Sequence, residues 1–187
     1  LVDLGNVANQ TGAQLETQSQ QNLVSNFLRP EDGAWDPENP NTYYFVTTDR
    51  LDTQADGAGN QQGNTRLYRM VFDDIANPEN GGKLEMLIDG EGAENMFDNL
   101  TVSRGHVYIQ EDTGNAAHNA KIWDYTIADG NLKEIFHADP SLFGDIGLTG
   151  SLTLDEESSG IIDVSSLFGE AAGTLFLFDE PTTGLHF

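Results

Sequence analysis

From residue 23 to residue 178 the sequence alternates between short β-forming runs and turn signals, and that alternation excludes most architectures. The runs fall at residues 43–46, 66–72, 84–88, 107–109, 122–125, 132–136, 160–164 and 175–178. Their aromatic and β-branched residues suit a pleated, half-buried surface. Between them stand Asp-Gly, Asn-Gly, Gly-Gly and Asn-Pro pairs, the dipeptides of tight hairpin turns. No stretch sustains a helical apolar period, so no helix is available to cross over between parallel strands. Strands joined by tight turns imply an antiparallel all-β fold. Residues 1–22 are polar and Gln/Asn-rich and read as a loop or a frayed helix.

The runs also repeat. Residues 29–89 carry an acidic turn (RPEDGAWDP) followed by three strands, and residues 96–139 carry an Asp-containing turn (MFDNLTVSRG) followed by three strands. In both units a strand ending in Asp leads through a turn to a second strand ending in Asp. Units of four short strands recurring every ~45–60 residues are the signature of propeller blades. Residues 151–187 read as the start of a third unit. The expected fold is therefore all-β, a β-propeller fragment of two to three antiparallel blades. A small β-sandwich without a true repeat is the alternative. The chain divides into a polar N-terminal segment (1–22), a partial propeller (23–178) and a C-terminal tail (179–187). A closed ring needs roughly 4–8 blades, and open edges need covering. A homo-oligomer or a longer parent chain is the expectation.

Charge narrows the partners. Among 187 residues there are 8 Lys+Arg against 31 Asp+Glu, a formal net charge of -23. Nucleic-acid phosphates and anionic membrane surfaces would be repelled. The balance suits a halophilic setting or one rich in divalent cations, where counterions screen the self-repulsion. There is no cysteine, which removes disulfides, Cys-ligated zinc and thiol catalysis. No run of 18 apolar residues is present, so no transmembrane helix is expected. The first residue is Leu1, read as a removed leader or a piece of a longer chain.

Candidate chemistry lies where acids recur at matching places in the units. Glu31 stands beside a turn glycine just before an apolar strand, and Asp98 with Asn99 holds the same place in the second unit. The strand after Asn99 ends in Gln110-Glu111-Asp112, and a third set begins at 155–160. Carboxylate and amide oxygens converging on one face suit Ca²⁺, which takes 6–8 oxygen ligands. Crowded carboxylates without a cation raise one another's pKa. The alternative is that these are solvated turn acids, abundant in so acidic a chain. The loop at 52–57 resembles half of a calcium loop but lacks the closing Glu, so a polar hairpin loop is expected there. His118 follows the acidic strand end and is a candidate to bind a phosphoryl oxygen or act as general acid/base, with a surface histidine as the alternative.

From about residue 27 to residue 178 the chain resembles the PhoX-type alkaline phosphatases and their phytase-like relatives. The matching stretches are RPEDGAWDP, YYFVTTDR, FDNLTVSRGHVYIQED, NAAHNAKIWDY and ESSGIIDVSSLFG. The resemblance implies a secreted or periplasmic β-propeller phosphomonoesterase acting on a small phosphoester, with calcium and iron held by acids of the inner strands. It implies Glu31, Asp98, Asn99 and Glu157 as ligands, with Glu111 and Asp112 nearby. It covers the C-terminal part of such proteins, and the cysteine iron ligand associated with the family has no counterpart here. The tail LFDEPTTGLHF resembles the Walker B segment of the excinuclease ATPase and of other ABC-type ATPases. No GxxxxGK[ST] loop accompanies it, so an ATPase is not expected. Two functions follow: a metal-dependent phosphomonoesterase, or a non-catalytic, calcium-stabilised β domain that oligomerises or binds.

Overall fold

The computed structural model describes residues 2–48, 64–112, 119–140, 142–143 and 157–179. One helix, α1 (Gly12–Gln21), lies in the N-terminal segment. A capping box starts it: Gln14 N donates to Thr11 Oγ1 and Thr11 N to Gln14 Oε1, satisfying two donors that the first turn leaves open. None of its residues is buried, in keeping with a polar sequence that has no apolar stripe.

Among the described residues ten strands follow: β1 (Pro30–Trp35), β2 (Thr42–Thr47), β3 (Arg66–Phe72), β4 (Gly82–Ile88), β5 (Phe97–Ser103), β6 (His106–Glu111), β7 (Lys121–Thr126), β8 (Leu132–His137), β9 (Ser159–Asp163) and β10 (Phe176–Asp179). They form two four-stranded sheets, ordered β1-β2-β3-β4 and β5-β6-β7-β8, and a β9-β10 pair. All pairings are antiparallel. The fold of the described residues is all-β, as expected.

The two segments read from sequence as acidic turns are instead the first strands of the sheets. RPEDGAWDP supplies β1 and MFDNLTVSRG supplies β5. Acids, asparagine and glycine depress strand propensity there, and both strands carry a bulge. Between Pro30 and Gly33, and again between Phe97 and Asn99, the first strand holds one residue more than its partner. The tight turn that follows β5 is Arg104-Gly105, with φ 48° and 77°. Two consecutive positive φ values are the type I′ geometry that matches strand twist.

The sheets repeat each other in detail. Each first strand is entered through a non-glycine residue with positive φ, Arg29 (51°) and Met96 (49°). The carbonyl of each accepts from the residue just past the second strand, Thr48 N at 3.1 Å and Asp112 N at 3.0 Å. A second bulge recurs between the third and fourth strands, at Leu67/Tyr68 and at Ile122/Trp123. The sequence repeat is thus a repeat of backbone geometry.

The core lies between the sheets. Tyr44, Val46, Leu67 and Ile88 of the first pack on Leu100, Val107, Ile109, Trp123 and Tyr125 of the second. Burial of these apolar side chains supplies the main driving force. Threonines fasten the seam: Phe97 N donates to Thr65 Oγ1 and Thr48 Oγ1 donates to the Phe97 carbonyl, both at 2.8 Å. The β9-β10 pair covers the other face of the second sheet, with Phe176 on Tyr108 and Phe178 on Phe136. Strands β1, β5 and β9 consequently lie side by side.

Candidate metal centre

The side-by-side first strands bring acids from distant parts of the sequence together. Glu31 and Asp98 sit at the bulges of β1 and β5. A bulged residue leaves the regular pleat, so its side chain is re-aimed. Asp112, just past β6, forms an isolated antiparallel bridge with Glu157, just before β9. Carboxylates from 31, 112 and 157 thereby come within electrostatic range of Asp98. Asp98 reports their effect. Burial, then the charges of Asp112, Glu31 and Glu157, push its carboxyl from the ordinary 3.8 up to about 6, while Arg29 pulls the other way. Arg29 pairs with Glu31 at 3.1 Å. The Asn99 amide donates to Asp98 Oδ2, which leaves the Asn99 amide oxygen as a further neutral donor of electrons.

Two neighbouring acids behave differently. Glu111 is fully buried and its carboxylate accepts Asn95 N at 2.7 Å, Trp123 Nε1 at 2.7 Å and Lys121 N at 3.0 Å. It ties the segment that enters β5 to β6 and β7, and it is not among the groups that shift the Asp98 carboxyl. Asp32 is spent across the seam, accepting Leu100 N at 3.0 Å and Gly33 N at 2.7 Å. Gln110 repeats that device one unit on, accepting Ile161 N at 3.0 Å.

Among the described residues, no three His, Asp or Glu side chains already stand in chelating positions. The donor set nonetheless fits a hard ion. It consists of carboxylate and amide oxygens, and thiolates are absent from the chain. Ser158, next to Glu157 in sequence, carries a buried hydroxyl that has no hydrogen-bond partner.

Sequence reading missed two residues. Arg29 is the counter-charge of the centre, and its signal was a lone base directly before the acidic run. Asp163 is the anchor of β9: it accepts Ser103 Oγ at 2.6 Å, Ser165 Oγ at 2.5 Å, Ser165 N at 2.9 Å and Gly173 N at 2.6 Å. Those hydrogen bonds, led by Ser103 and Ser165, hold its carboxyl far below the ordinary range. His118, the 52–57 loop and residues 180–187 of the tail lie outside the described residues. No described helix is long and apolar enough to cross a membrane. No protein-family model, curated protein or solved structure matches the chain.

Proposed function

We propose that this chain is a calcium-binding β domain, part of a β-propeller, in which Glu31, Asp98, Asp112 and Glu157 hold the ion with help from Asn99. The observation that carries the reading is Asp98, half buried among three other carboxylates and opposed only by Arg29 among the causes of its raised pKa. A divalent ion placed there would relieve the repulsion. Oxygen donors throughout favour calcium over iron. A secreted or periplasmic location, where calcium is abundant, suits the weak affinity expected of a site shaped by repulsion rather than by a rigid cage.

A second reading extends the first. The resemblance to phosphomonoesterases supports hydrolysis of a small phosphoester at the same centre. The metal would polarise the phosphoryl oxygen.

Calorimetric titration with calcium chloride at pH 7.5 tests the main reading, with an aryl phosphate assay on the same samples testing the second. Saturable calcium binding lost in Asp98→Asn supports the centre. Heat equal to buffer dilution overturns it. Calcium binding without turnover leaves the binding domain and removes the hydrolase.

A further inference from the structure

Exposed apolar side chains are not scattered over this molecule. Among the described residues fourteen large ones are exposed. Seven belong to the N-terminal segment and the first sheet, and five lie between Ile162 and Leu177. Only Ile135 and Leu142 fall elsewhere. The apolar surface is therefore collected at the two ends of the stack of sheets.

At the first end, the outward face of the first sheet carries Trp35, Tyr43, Phe45, Tyr68, Leu84 and Met86, set on one side by strand alternation and register. A sheet facing water there would carry polar residues on this side. The chain's own N-terminal segment covers it only in part. Phe27 packs edge-on against Phe45 and Tyr68. Beside it a groove of about 460 Å³ remains, lined by Val2, Leu23, Val24, Met70, Phe72 and Leu84. Trp35 and Met86 stay about half exposed. At the other end, Ile162 and Leu177 are register partners pointing away from the second sheet, 51% and 59% exposed. Leu167 and Phe168 project from the 3₁₀ turn Ser165–Phe168, 79% and 69% exposed.

The repeat says what fits these ends. By position relative to the bulges, Phe45 and Tyr68 correspond to Ile109 and Trp123. Ile109 and Trp123 belong to the face of the second sheet that receives the first. The Ile162/Leu177 face points in the direction in which Tyr44 and Val46 of the first sheet point, onward to the next unit. Each free end is thus one half of a contact that the molecule already makes between its own sheets.

We infer that a second copy of this chain docks head to tail, its Ile162/Leu177 face and Leu167–Phe168 tip seated on the Trp35/Met86 face and the adjoining groove. Such a contact is heterologous, joining unlike patches. The net charge of -23 opposes it, so screening by salt strengthens it. This is independent of calcium occupancy.

Sedimentation equilibrium of the full chain in 0.1 M and roughly 1 M salt tests the inference. The mass should rise above the monomer with protein concentration and rise further in high salt. Leu177→Asp and Met86→Asp, both at exposed positions, should each weaken self-association by at least about tenfold. An equimolar mixture of the two variants should recover a dimer, because each retains the patch the other lacks. Circular dichroism identifies any variant that fails to fold, in which case Phe168→Asp or Trp35→Asp replaces it. A monomer at all concentrations and salts overturns the inference. So does a mixture that associates no better than either variant alone, which would indicate a symmetric contact.

Discussion

Asp98 and Glu111 lie on paired strands of one sheet and are both carboxylates, yet their surroundings are opposite. Glu111 faces three N–H donors and is fully buried. Asp98 faces three other acids. Donors aimed at a carboxylate replace the water it loses, and like charges beside a carboxylate do not. The first arrangement holds a fold together at all times. The second is a liability unless something positive binds. The acids that hold this fold together and the acids proposed to bind an ion are therefore separated by what surrounds them, not by residue type.

The largest test of that contrast is Glu111→Ala. It leaves three donors, the Trp123 indole among them buried, without their acceptor and should destabilise by about 3–5 kcal/mol, read as a lower urea midpoint. Glu111→Gln keeps one oxygen and should cost less. If Glu111→Ala unfolds at the wild-type midpoint, the structural role assigned to Glu111 is wrong. Asp163→Ala is the next largest, at about 2 kcal/mol, because β9 loses its link to Ser103 and its hold on the 165–173 loop.

Asp98→Asn should act in the opposite direction. Removing a charge from a repelling group stabilises the calcium-free protein, on the order of 1 kcal/mol after discounting for solvent screening of a half-exposed group. A lower melting temperature for Asp98→Asn without calcium would contradict the contrast.

The smallest effect is on the pH profile, and the two kinds of acid pull it in opposite directions. The Asp98 carboxyl titrates near 6 in the fold against an ordinary 3.8. Between those values the folded state binds more protons, so the Asp98 contribution is fullest below about pH 4 and is lost as pH rises through about 6. The Asp163 carboxyl is shifted downward. Its contribution is present above the ordinary carboxylate range and is lost as pH falls below that range. Comparing the melting temperatures of wild type and Asp98→Asn from pH 4 to pH 8 isolates the first component. The difference between them should widen upward through about pH 6.

Much of the architecture was legible in the sequence, because strand periodicity and turn dipeptides are local signals. The second, third and fourth strands of each sheet fall where aromatic and β-branched runs predict them. The first strands were hidden. Pro30-Glu31-Asp32-Gly33 and Asp98-Asn99 look like turns, and only pairing with β2 and β6 makes strands of them. The acids of the centre could be named from their recurrence, but recurrence does not reveal hydrogen-bond partners. That is why Glu111 could not be told from its neighbour Asp112. Trp123 and Asn95, which engage Glu111, lie 12 and 16 residues away. Arg29 went unnoticed because its effect depends on where the bulge directs Glu31 and Asp98.

The central claim is that the Asp98 group is completed by a cation, and thermal unfolding with and without calcium tests it most directly. At pH 7.5, calcium at about a hundredfold excess over its dissociation constant should raise the wild-type melting temperature by about 5–10 °C. Asp98→Asn, though more stable without calcium, should gain little from it. Wild type and variant responding equally to calcium, or neither responding, would contradict the account.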